Sequence, residues 1–210
     1  EATEPDVNAL TYTYFDEALD AASKAEAVYS SRNQSSKPLE GLCVAIKDAG
    51  HVAGEPTSSG SLTSSEEPQP NTSPINDRIL ESGAIMHARS ATPEFSCAAV
   101  THSRRWGISR NPWNPVYGPG GSSGGAGASL AVGSSTLASG SDIAGSIRIP
   151  ASCCGVVGYK PPKGRTPVDP PFNLDPYCHT GPLARTVEDC LLFQNILCGP
   201  HEGDPTTIKP

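Results

Sequence analysis

"GLCVAI" (residues 41–46) and "SPINDRILESGAIMHA" (residues 73–88) together hold the reading that decides the fold. The first is a short continuous apolar run, most simply a buried strand, and it ends at Lys47-Asp48. In the second, Ser73 stands as an N-cap, Pro74 takes the first helical position, where a missing N–H is harmless, and Gly83 marks the stop. "AIMHA" (84–88) then reads as the next strand. Strand, helix, strand in this order predicts a βαβ unit and an α/β fold.

Working outward, "YFDEALDAASKAEAVYSS" (14–31) sets Phe15, Leu19, Ala22, Val28 and Tyr29 at helical spacing, an amphipathic helix. "RNQSSKPLE" (32–40) and "PTSSGSLTSSEEPQPNT" (56–72) read as loops. "RNPWNPVYGPGGSSGG" (110–125) is a long irregular segment stiffened by prolines and loosened by glycines. "AGASLAVGSSTLAS" (126–139) has the small residues of a helix packed tightly on a sheet, and "CCGVVGYKP" (153–161) reads as a further strand. "RTVEDCLLFQNILCG" (185–199) closes with a helix, Thr186 and Asp189 spaced as a capping box and Gly199 as its stop. No internal repeat and no dividing linker interrupts the chain.

The bulk numbers bound the rest. At 210 residues, 36% hydrophobic and 18% charged, the chain has globular composition and room for one substantial domain. The net charge is −7 and the basic residues are scattered, so no basic stripe points to nucleic acid as a direct ligand. No apolar run is long enough to span a membrane. Seven cysteines form no CxxC pair, which reads as reduced thiols in a cytoplasmic setting.

"GSDIAGSIRIPA" (140–151) places Ser146 between a small flexible run and a stiff segment, with no histidine beside it to take its proton. Two G-x-S-x-G matches overlap at Gly120–Gly124 and Gly121–Gly125, but a nucleophile elbow should follow a strand, and a Pro-rich loop precedes these. A Gly/Ser linker reading fails because the segment runs straight into an apolar-rich stretch. No GxxxxGK[ST] loop is present for phosphate.

Taken together, "GLCVAIKDAGHVAGEPTSSGS" (41–61), "ATPEFS" (91–96), "RNPWNPVYGPGGSSGG" (110–125), "GSDIAGSIRIPASCCGVVGYKP" (140–161) and "HTGPLARTVEDC" (179–190) resemble the amidase signature family of serine hydrolases. The resemblance implies an α/β fold with a mixed, largely parallel β-sheet core and helices on both faces. It also implies that residues 1–210 are a single incomplete domain, the N-terminal half to two-thirds of a member, with its C-terminal part missing. The family's triad of lysine, cis-peptide serine and nucleophilic serine falls on Lys47, Ser122 and Ser146. Backbone N–H groups of Ile143, Ala144, Gly145 and Ser146 are expected at the oxyanion, Ser96 and Ser123 at the site lining, and Asp142 with Arg148 as a brace. Alanine at position 144 departs from the family's usual glycine.

Chemistry agrees with that transfer. A serine hydroxyl attacks well only when a base removes its proton. Lysine can be that base once burial lowers its pKa from about 10.4, and Ser122 would relay the proton. The reaction implied is hydrolysis of a small-molecule carboxylic amide through an acyl-Ser146 intermediate, with no metal or organic cofactor and with a homodimer left open. Two alternatives stand beside it. One is the amidase component of a tRNA-dependent amidotransferase, which usually has Gln where this chain has Ile149. The other is a truncated, inactive member.

Overall fold

The computed structural model describes residues 2–31 and 35–208, so the loop expected at 32–40 lies partly outside the described residues. Its strands are β1 (Leu10–Thr13), β2 (Cys43–Lys47), β3 (Ile85–Ser90), β4 (His102–Ser103), β5 (Gly107–Ile108), β6 (Leu137–Asp142), β7 (Val157–Gly158) and β8 (His179–Ala184). Its helices are α1 (Glu4–Val7), α2 (Phe15–Ser30), α3 (Pro74–Glu81), α4 (Gly124–Ala131), α5 (Arg148–Cys154) and α6 (Val187–Leu197).

Six strands form one sheet in the order β1-β3-β2-β6-β8-β7, and β4 pairs with β5 apart from it. β2 runs parallel to both β3 and β6, which makes β2–α3–β3 the βαβ unit read from the sequence. β1, β8 and β7 pair antiparallel to their neighbours. The sheet is therefore mixed, with β3, β2, β6 and β7 sharing one direction and β1 and β8 opposing it.

Helices cover both faces, and alternation along the strands divides the core accordingly. Ala45, Ala88, Ala138 and Leu183 face α4 and α5, meeting Ala126, Leu130, Ala151 and Cys154. Val44, Ile46, Leu137 and Ala184 face α3 and α6, meeting Ile75, Ile79, Phe193 and Leu197. α4 is buried along nearly its whole length, which is why its residues are small. A Cβ on Gly125 would collide with backbone atoms of Ala91 and Ala9, so glycine is required where this helix starts against β3.

Four local expectations change. Residues 126–139 do not form one helix: α4 ends at Ala131, Gly133 turns the chain at a φ of 78°, and β6 begins at Leu137. Cys153 and Cys154 end α5 rather than opening a strand, because Gly155 in the left-handed region (φ 69°) stops the helix. α2 forms as expected, but its core face is Ala18 and Ala25, with Leu19 and Tyr29 turned outward, since alanines let it sit close on β3. Ser73 precedes α3 without capping it: its Oγ accepts the His51 N–H at 2.8 Å. By contrast, Thr186 caps α6 as expected, accepting the Asp189 N–H at 3.1 Å. All seven cysteines are free thiols, and no described helix is long and apolar enough to cross a membrane.

Candidate active site

β2 and β6 are neighbours in register, Ala45 opposite Ala138, and both run toward the same edge of the sheet. Their carboxyl ends meet there, a common location for ligands in α/β sheets. Lys47 is the last residue of β2 and is only 3% exposed. Its amide donates to Ser139 Oγ at 3.2 Å, tying the strand end to β6. Its Nζ lies 2.7 Å from Ser122 Oγ and 2.9 Å from Ser141 Oγ. Burial pushes the Lys47 ammonium from 10.5 down to about 7, against the smaller opposing influence of Cys178 and Asp142. A neutral amine has two donors and one lone pair, so it can donate to Ser141 while accepting the Ser122 hydroxyl proton.

Ser122 is fully buried and follows a cis Gly121–Ser122 peptide bond. The next residue, Ser123, donates its backbone N–H to Ser146 O at 3.1 Å, which ties the glycine-rich loop to the 143–146 turn. Ser146 lines the main cavity. Among the described residues its hydroxyl has no hydrogen-bond partner, and it does not bond to Ser122. Lys47 and Ser122 are thus brought into contact, and Ser146 is tied to the Ser122 loop with a free hydroxyl.

Asp142 closes β6 and organises the turn. Its fully buried side chain accepts from Arg148 Nε and Nη2, both at 2.9 Å, from Gly145 N at 2.7 Å and from Ile147 N at 3.2 Å. Burial alone would raise this carboxyl, but the Arg148 guanidinium and the two backbone N–H groups hold it below its ordinary value. The expected Asp142–Arg148 brace is therefore formed. Gly145 differs from expectation: its N–H is spent on Asp142, so it is not a free oxyanion donor. Its φ of 114° shows its actual role, a turn that side chains rarely allow. The N–H groups of Ile143, Ala144 and Ser146 have no intramolecular acceptor among the described residues.

The cavity in front of these groups has a volume of about 720 Å³, within the range of small-molecule sites. Ser96 lines it, bonded through its Oγ to Thr92 Oγ1 at 3.0 Å. Phe95 and Ser96 both sit in the left-handed region (φ 49° and 58°), a local strain of the kind found beside functional sites. Ser123 does not line the cavity. It is fully buried, with its Oγ packed 3.4 Å from both Ser141 N and Ser141 O, so its role is to join α4 to β6.

Two residues escaped the sequence reading. Ser141, the second hydroxyl on Lys47, lay just past a stretch taken for helix, and the alternation Ser139, Ser141 along a strand was its signal. Arg89, fully buried on β3, donates to the carbonyls of Lys47 and Gly50 and so holds the backbone that aims Lys47.

A family model described as Amidase matches residues 1–210. A glutamyl-tRNA(Gln) amidotransferase subunit of Nitratidesulfovibrio vulgaris (strain DP4) is 36% identical over 210 residues, 98% of this chain and 42% of that relative. A bacterial aryl acylamidase of the amidase signature enzymes superposes with a TM-score of 0.91 at 29% identity, covering 100% of this chain and 44% of that structure. A 6-aminohexanoate cyclic dimer hydrolase complexed with substrate gives a TM-score of 0.88 at 31% identity, with 98% and 42% covered. The chain thus spans less than half the length of these relatives.

Proposed function

The chain belongs to the amidase family, and from that premise we propose that it carries the catalytic centre of a serine amidase that hydrolyses a carboxylic amide through an acyl-Ser146 intermediate. In this reading residues 1–210 are the triad-bearing part of a larger catalytic domain. One observation carries the proposal: an amine shielded from water, with its pKa lowered to about 7, lies 2.7 Å from the hydroxyl of Ser122.

Ser146 Oγ attacks the amide carbonyl carbon. Its proton passes to Ser122 Oγ as the Ser122 proton passes to neutral Lys47 Nζ, so charge is generated at a site where Ser141 already donates or accepts as needed. The carbonyl oxygen becomes an oxyanion, for which Ile143 N–H and Ala144 N–H, together with Ser146 N–H, are the available donors. Each such donor is typically worth roughly 10²–10³ in turnover. The tetrahedral intermediate collapses when the proton returns from Lys47 through Ser122 to the leaving nitrogen. A water then repeats the sequence on the acyl-serine. Asp142 does not touch substrate here. It shapes the turn by holding Gly145 and Ile147, with Arg148 neutralising its charge.

A second reading has its own support in the curated relatives, which include a component of an amidotransferase. Against it stands Ile149, which lines the cavity with an apolar side chain where the resemblance implies glutamine for that component. The experiment is intact-mass spectrometry of the purified chain mixed with a panel of primary and aryl amides and with glutamine. Acylation from a simple amide, abolished in Ser146→Ala, supports the amidase. Acylation from glutamine alone supports the amidotransferase component. No acyl adduct with any donor, from a folded chain, leaves the inactive fragment as the better description.

A further inference from the structure

The two segments that carry Ser122 and Ser146 are anchored independently of each other. Gly120 O, two residues before Ser122, accepts the Thr101 hydroxyl at 2.9 Å. Gly121 lies so close to Val100 that a Cβ there would stand 2.5 Å from Val100 O. On the other segment the Gly145 N–H, one residue before Ser146, is held by Asp142 at 2.7 Å. Neither segment can move without giving up these contacts, so the separation between them is set by what fills the gap.

What fills it is the side chain of Ile149, in the first turn of α5. Its backbone N–H donates to Gly145 O at 2.7 Å, which fixes it against the Ser146 turn. Its Cδ1 takes the space a Gly145 side chain would need, 2.8 Å from where a Cβ would stand, and its Cγ2 does the same at Gly120, at 2.9 Å. One side chain therefore touches both the loop that carries Ser122 and the turn that carries Ser146, and it lines the cavity beside them. Isoleucine branches at Cβ, and in a helix such a side chain is held largely to one χ1 rotamer, so its two arms keep fixed directions. The Ser122 and Ser146 hydroxyls are not bonded to each other in the structure. Their approach during attack depends on how the two backbones are held.

Resting on the amidase reading above, we propose that Ile149 is a positioning residue for the proton relay: its branched side chain is the spacer that sets how far Ser146 stands from Ser122. It exchanges no proton and acts only through the two backbones. The Cγ2 arm sets the Ser122 loop and the Cδ1 arm sets the Ser146 turn. The bond from Ser123 N–H to Ser146 O, at 3.1 Å, then closes across the fixed gap. Shape matters more than volume in this role. Valine keeps the branch and the Cγ2 arm and gives up only Cδ1, whereas leucine keeps the full volume but has no branch at Cβ to reach Gly120. The spacer role therefore ranks valine above leucine. A side chain that only fills volume gives the reverse order, because isosteric swaps are tolerated best.

The test compares Ile149→Val, Ile149→Leu and Ile149→Ala with the natural chain in fluorophosphonate labelling of Ser146, resolved into probe affinity and maximal rate. Small misplacements of reacting groups are expensive, so Ile149→Ala should lower the maximal rate roughly ten- to a hundredfold with probe affinity little changed. Ile149→Val should stay within about threefold of the natural chain, and Ile149→Leu should fall below it. An unchanged maximal rate in Ile149→Ala, a loss confined to probe affinity, or leucine outperforming valine would overturn the proposal. Amide hydrogen exchange at Ser123, followed by NMR, needs no chemistry at the site. It should quicken at least about tenfold in Ile149→Ala and stay slow in Thr186→Ala, a variant destabilised away from the cavity. Should the natural chain take no label at Ser146, the amidase reading fails and Ser123 exchange decides the spacer: faster exchange in Ile149→Ala supports it and unchanged exchange overturns it. Should Ile149→Ala fail to fold, valine against leucine decides by the same two readouts.

Discussion

Replacing Lys47 by methionine removes a buried titrating group while keeping a flexible apolar side chain of similar length. In the unfolded chain the lysine titrates near its ordinary 10.5, and in the folded chain burial brings it to about 7. Between those values the unfolded state binds one more proton than the folded state, so this group makes stability rise with pH. Below about pH 7 both states hold the proton and its contribution is flat. The full displacement corresponds to about 5 kcal/mol, at about 1.4 kcal/mol for each tenfold change in proton affinity. Urea unfolding of the natural chain should therefore gain roughly 4 kcal/mol more between pH 7 and pH 10 than that of Lys47→Met. The difference in slope is insensitive to how well methionine packs, or to the Ser122 and Ser141 hydroxyls it leaves unpaired, since neither depends on pH in this range. Parallel stability profiles for the two proteins would refute the claim that position 47 holds a neutral amine.

Further outcomes follow from the same geometry. Ser122→Ala removes the relay but leaves Ser141 on Lys47, so serine-directed fluorophosphonate labelling should slow by about 10²–10⁴, the usual range for lost acid–base help, with little change in melting temperature. Asp142→Ala deprives the Gly145 and Ile147 N–H groups and Arg148 of their shared acceptor, and urea denaturation should show a loss of at least about 1–3 kcal/mol along with slower labelling. Thr186→Ala removes the α6 cap and should cost about 1 kcal/mol by the same measurement while leaving the labelling rate unchanged, because that helix end lies outside the cavity lining.

The central βαβ unit was legible because its signals were chemically blunt. Val44 to Ile46 form a run that only burial explains, and Pro74 and Gly83 bracket α3 at positions where other residues are less suited. Lys47, Ser122, Asp142 and Arg148 could be named because motif resemblance carried them; in the structure Lys47 Nζ lies against Ser122 Oγ, and Arg148 pairs with Asp142. β8 was missed because it contains Gly181 and Pro182, which normally demote a strand, yet Pro182 still pairs opposite Ser139. β6 was missed because Ala, Ser and Gly have weak propensity and no apolar contrast, so period two cannot be seen. Overlooking β6 hid Ser141 in turn. The engagement of Gly145 by Asp142 was also beyond the sequence, since it depends on a carboxylate three residues earlier folding back under the turn.

The pH dependence of covalent modification tests the proton relay most directly. The purified chain is exposed to a fluorophosphonate across pH 5–9 and the adduct is located by peptide mass spectrometry. The account predicts modification at Ser146, at a rate that climbs to a plateau above about pH 7 and collapses when Lys47 is replaced by methionine. Modification of a different serine, or a rate at Ser146 indifferent to the loss of Lys47, would contradict it.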